Sequence, residues 1–186
     1  MRRRLAGNML VFLFCSALMA VPSLSDERVE LKALGVDLTL PDNWFQVPEE
    51  ASKNLVPAGT ALIATDDPDG QFLLQVRRDP QAGRKMEYAI SSTIHYVYTE
   101  MEGFVDREED FLVGSEPGYI IRYEPGVSSD LAEPRRFVRV VALYDGWLYT
   151  FQGVTDRKSF AKHEGAFESI VKGLSWRKNN GIESEL

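Results

Sequence analysis

At 186 residues, with 44% hydrophobic and 26% charged side chains, the chain can bury one packed core, and its composition is neither disordered nor collagen-like. A formal charge of −7 excludes nucleic acid or an anionic membrane as the main partner, since both require clustered Lys and Arg. A single cysteine excludes a disulfide framework.

The N-terminus differs from the rest in composition. Arg2-Arg3-Arg4 precede an apolar run from Met9 to Val21, and polar sequence begins at Ser25-Asp26-Glu27-Arg28. That is the layout of a secretory signal peptide, with Ala20, Ser23 and Ser25 as possible last residues before cleavage. The run of 13 residues is short of the roughly 20 that span a bilayer. Cys15 follows the bulky Phe12-Leu13-Phe14, which does not fit a lipoprotein cleavage site, so it belongs to the apolar segment. Residues 1–25 are therefore read as signal peptide, 26–176 as the folded domain and 177–186 as a frayed polar tail. Cleavage removes three arginines and no acid, which takes the formal charge from −7 to −10. The expected destination is the periplasm or the exterior, with no stable membrane anchor left.

In the mature chain, "VELKALGVDLTL" alternates on either side of Gly35 and predicts strand, tight turn, strand. Pro41 and Pro48 then bracket Trp44 and Phe45 in a loop or short edge segment, with Trp44 as a core plug. "TALIATDDPDGQFLLQV" predicts a hairpin, because Pro presets the turn and Gly closes it. Aligned as an EF-hand loop, its aspartates would place Val76 where the bidentate Glu belongs, so it is not that motif. A looser cation site at Asp66, Asp67 and Asp69 stays open beside the plain turn.

Between Ala82 and Met101 the apolar positions Met86, Ala89, Ile90, Ile94, Val97 and Met101 have helical spacing. The β-branched and aromatic "TIHYVYT" would also suit a strand, but the apolar stripe runs through it unbroken. "FVDREEDFLV" and "GYIIRYEPG" read as strands, and Val127–Pro134 as a loop. Asp106, Glu108, Glu109 and Asp110 form a solvated face without a histidine to complete a transition-metal set.

In Phe137–Val154 a two-residue Asp145-Gly146 turn fixes a hairpin register: Tyr144 opposes Trp147, Ala142 opposes Tyr149, and Val140 opposes Phe151. One face is thus apolar or aromatic throughout. The other carries Phe137, Val141, Leu143, Leu148 and Val154, relieved only by Arg139, Thr150 and Gln152, so both faces call for cover. A final helix, capped by Thr155 or Asp156, presents Phe160, His163, Phe167, Ile170, Val171 and Leu174 as its stripe, and Trp176 ends the packed region.

Together "GVDLTLPDNWFQVP", "ALIATDDPDGQFLLQV" and "FVRVVALYDGWLYTFQGVTDRKSFAKHEGAFESIVKGLSW" make the chain resemble the PsbP/DcrB-like superfamily, which includes the Ran-binding Mog-type proteins. The resemblance implies an α+β fold, a three-layer α/β/α sandwich with a largely antiparallel central sheet. It also implies a mostly non-enzymatic role and carries no common catalytic residues.

The sequence holds no G-x-S-x-G elbow, H-E-x-x-H helix, P-loop or G-x-G-x-x-G turn. The expectation is an exported, non-enzymatic accessory protein with no catalytic, cofactor or metal residues, bound to another envelope or secreted protein. Two alternatives stand beside it. One is a small-molecule binder with a pocket between the aromatic hairpin and a helix. The other is a hydrolase built from Ser91 or Ser92 with His95, or from carboxylates of Asp106–Asp110.

Overall fold

The computed structural model describes residues 26–68, 70–83, 85–126 and 134–177. The signal-peptide reading of residues 1–25, most of the expected Val127–Pro134 loop and the tail after Arg177 lie outside them. β1 (Glu27–Leu31) and β2 (Val36–Leu40) flank a 3-10 turn over Lys32–Leu34, which Gly35 closes with a left-handed φ of 70°. The edge segment between the prolines is β3 (Trp44–Gln46), with Trp44 buried as expected. One unforeseen helical turn follows, α1 (Glu49–Ser52). The next hairpin is β4 (Thr60–Thr65) and β5 (Leu73–Pro80).

The ambiguous segment is a helix, α2 (Met86–Thr99), shorter at both ends than the expected Ala82–Met101 span. Positive φ at Ala82 (48°), Gly83 (76°) and Glu102 (46°) breaks the helical path on either side. Then come β6 (Phe104–Val113), β7 (Glu116–Glu124), β8 (Arg135–Tyr144) and β9 (Trp147–Asp156). Asp156 Oδ1 accepts from the Lys158 and Ser159 amides ahead of α3 (Phe160–Lys172), and β10 (Ser175–Trp176) ends the fold.

Seven strands form the central sheet in the order β3-β4-β5-β9-β8-β7-β6, and every pair is antiparallel. Two meanders meet where β5 pairs with β9. The β8–β9 register is the one the Asp-Gly turn dictates, with φ of 48° at Asp145 and 76° at Gly146, as a type I′ turn requires. On one face Val76, Phe151, Val140 and Ile120 lie side by side across four strands, each fully buried. α3 and the small sheet β1-β2-β10 cover that face, and their apolar residues join the same core. All six residues of the predicted α3 stripe are buried.

α2 covers the opposite face through a smaller cluster, in which Val97 packs on Ile121 and Tyr123. The molecule is thus the expected α/β/α sandwich. Arg177, assigned to the frayed tail by its polarity, belongs instead to the folded part. Its amide donates to Gly35 O, and its guanidinium pairs with the buried Asp37 and with Glu30.

Candidate functional site

The aromatic hairpin is core. Tyr149 and Phe151 are buried, and the Tyr149 hydroxyl donates to Leu34 O at 2.9 Å, tying the central sheet to the small one. Tyr144 stacks on Trp176 at 4.3 Å between centroids, and Tyr149 meets the same ring edge-on at 4.8 Å. Tyr144 and Trp147 are half-buried against the same core, and Arg78 lies over the Trp147 ring at 4.3 Å.

The other face of the same hairpin is different. Across β5, β9 and β8 the register sets Gln75 beside Gln152 beside Arg139, and Arg77 beside Thr150 beside Val141. Of these residues Arg139 and Val141, on β8, lie beneath the edge of α2, whose main contacts are to β6, β7 and β8, while those on β5 and β9 lie beyond it. The result is a groove of about 220 Å³ between the sheet and the inner edge of α2, where Tyr88, Ser92 and Thr93 form the opposite wall. Thr93 Oγ1 accepts from Arg139 Nη1 at 3.1 Å, and Gln152 Oε1 accepts from Arg139 Nε at 2.9 Å and also from Nη2. Tyr123 OH is 3.5 Å from Gln152 Oε1; burial raises its pKa against the pull of Arg139, so it stays a donor. Arg139, Thr150 and Gln152 interrupt the apolar pattern of the hairpin's second face, and that interruption is the sequence trace of the groove.

The solvent half of α2 carries Tyr88, Tyr96 and Tyr98, and Phe104 follows it; each is exposed. His95 and Ser92 are also exposed on this helix, and Ser91 donates to Glu87 O. Among the described residues, no hydrogen bond joins either serine to His95. The hydrolase candidates are therefore not assembled into a nucleophile–base pair.

Two of the four carboxylates of the acidic run on β6 are committed to ion pairs. Asp106 pairs with Arg136, and Glu109 with Arg107 and Arg122. Arg122 is buried and also holds Glu164 and Glu168 of α3, so this fork staples helix to sheet. At the β4–β5 turn, Asp67 Oδ2 lies 2.7 Å from Lys162 Nζ and 3.0 Å from Nε2 of the buried His163. That nitrogen is also 3.1 Å from Gly70 O, which assigns it the proton. Asp66 is exposed and Asp69 lies outside the described residues. Among the described residues, no three His, Cys, Asp or Glu side chains gather as a metal set.

No family model matches the chain, and no curated protein matches it by sequence. Its fold does match solved structures. The cyanobacterial PsbP (CyanoP) of Synechocystis sp. PCC 6803 aligns with a TM-score of 0.57 at 14% identity, over 86% of this chain and 97% of that one. LpqN, involved in cell envelope biogenesis of Mycobacterium tuberculosis, aligns at 0.50 and 13% identity, over 83% and 91%. The Ran-binding protein Mog1p of Saccharomyces cerevisiae aligns at 0.51 and 9% identity, over 83% and 96%. The chain therefore has the PsbP/DcrB/Mog-like fold.

Proposed function

We propose that this chain is an exported, non-enzymatic accessory protein of the bacterial envelope that acts by binding another protein through the outer face of α2. The observation that carries the reading is the concentration of apolar surface there. Of the six large hydrophobic side chains exposed among the described residues, three (Tyr88, Tyr96 and Tyr98) lie on α2, and a fourth, Phe104, begins β6. Tyrosine is enriched at protein interfaces because it supplies large contact area with a polar tip and little rotamer entropy.

Three further points support the reading. The N-terminal layout is that of an exported chain. Among the described residues no hydrogen bond joins Ser91 or Ser92 to His95, and two of the four β6 carboxylates, Asp106 and Glu109, are spent on arginines. Among proteins of the same fold, one binds Ran and another works in envelope biogenesis.

The test is affinity capture of the processed chain from its native envelope, beside a Tyr96→Ser/Tyr98→Ser double variant, with mass spectrometry of bait and partner. The expected result is a bait beginning after Ala20, Ser23 or Ser25, and one partner lost with the double variant. Turnover of a defined substrate, abolished by His95→Ala with no partner recovered, would overturn it.

A further inference from the structure

We infer that the groove between α2 and the sheet is a binding site for a small carboxylic acid, with Arg139 as the residue that takes the carboxylate. The inference starts from charge. Three arginines that tie elements together inside this acidic protein are neutralised: Arg122 by three carboxylates, Arg136 by Asp106 and Glu124, and Arg177 by Asp37 and Glu30. Arg139 stands half-buried on the groove floor with only neutral partners, the Gln152 and Thr93 oxygens and the Tyr123 ring at 5.9 Å. Among the described residues no carboxylate pairs with it. A cation held out of bulk water without a counter-charge is costly, and an incoming anion would relieve that cost.

The donor arithmetic sets the chemistry. A guanidinium has five N–H donors. Nε, Nη1 and Nη2 each spend one on Gln152 or Thr93, which leaves two, one on Nη1 and one on Nη2. Two such donors match the two oxygens of a carboxylate. Gln152 and Thr93 also fix the guanidinium in place, so little side-chain entropy remains to be lost on binding.

The rest of the groove offers apolar surface for the organic part of such a ligand, from Val141, Leu148 and Tyr88. Asp79, the carboxylate that also lines it, is paired with Arg77 at 3.0 Å. Thr60, on β4, also lines it, and its buried Oγ1 has no hydrogen-bond partner among the described residues. Its volume of about 220 Å³ suits a small acid.

Titrations of the isotope-labelled mature protein would test this, with backbone amide shifts of β4, β5, β8 and β9 as the readout. The probes are phenylacetate and hexanoate, against phenylacetamide, hexanamide and inorganic phosphate. Saturable shifts in those strands with at least one carboxylate are expected, with an affinity at least tenfold above that of its amide. Arg139→Lys keeps the charge but loses the fork, and should weaken binding about tenfold; Arg139→Gln should abolish it. Three results would overturn the inference: equal binding of acid and amide, tighter binding of phosphate than of either acid, or no saturable shift up to about 10 mM. Because the acid–amide comparison uses the unaltered protein, it holds even if a variant fails to fold.

Discussion

Tyr149 gives the sharpest test of the packing, because two kinds of interaction at one residue can be separated there. Its ring is 1% exposed and meets Trp176 edge-on, while its hydroxyl donates at 2.9 Å to Leu34 O. Burial raises the phenol pKa even though the Arg78 charge and hydrogen bond pull it down, so at neutral pH the group is a donor. Tyr149→Phe keeps the ring and strands the Leu34 carbonyl, which costs about 1–2 kcal/mol. Tyr149→Ala also opens a ring-sized cavity between the two sheets, for about 3–5 kcal/mol in total. Against a domain stability of roughly 5–15 kcal/mol, the alanine variant is marginal and the phenylalanine variant folded. Urea and thermal denaturation of residues 26–186 followed by far-UV circular dichroism would read both. Phe should shift the melting temperature down by roughly 2–8 °C, with an unchanged denaturant slope. If Tyr149→Ala cost under about 1 kcal/mol, the ring would not be core, and a ligand-facing role for the hairpin would return.

Two other outcomes follow from the same geometry. Gly153 lies on the α3 face of β9, and a Cβ there would come within 2.4 Å of Phe72 Cζ and 2.8 Å of Val138 Cγ1, both buried. Gly153→Ala should therefore cost about 1–3 kcal/mol, read as a lowered urea midpoint, although alanine is the better strand former. Arg122→Met keeps the buried stem and removes the charge from Glu109, Glu164 and Glu168; because these carboxylates retain 23–37% exposure, the cost should be about 2–3 kcal/mol at pH 7. Burial opposes ionisation of Glu168, but Lys172 and Arg122 outweigh it, so its folded pKa lies below the usual value. That stabilisation is complete above the unfolded carboxylate range and is lost as pH falls through the depressed pKa. Stability measured against pH should thus decline less steeply on the acid side in Arg122→Met than in the parent.

Local rules carried most of the fold. The Asp145-Gly146 turn allows one register, and period-two alternation then sorts every side chain of β8 and β9 onto a face. The α3 stripe was equally legible because all its apolar positions meet one core. What escaped was long-range. β10 is two residues long and exists because Ser175 and Trp176 pair with Asp37 and Val36, more than a hundred residues away. No local pattern encodes that pairing, so Arg177 looked like tail although it closes an ion pair to buried Asp37.

The groove was half legible. Arg139, Thr150 and Gln152 stood out against the apolar second face of the hairpin, but Gln75 and Arg77 join them only through the β5–β9 pairing, where the two meanders meet. The reach of α2 was hidden as well. Its inner stripe was readable, whereas the strands it leaves uncovered depend on the sheet order.

The proposed docking face is tested most directly by crosslinking in the native host. A photoreactive phenylalanine analogue at Tyr98, exposed on α2, should yield one discrete higher-mass adduct with a second envelope protein. The same analogue at Ala161, exposed on α3 across the sandwich, should yield none. Equal adducts from both positions, or none from Tyr98 in a correctly processed and folded chain, would contradict a partner seated on α2.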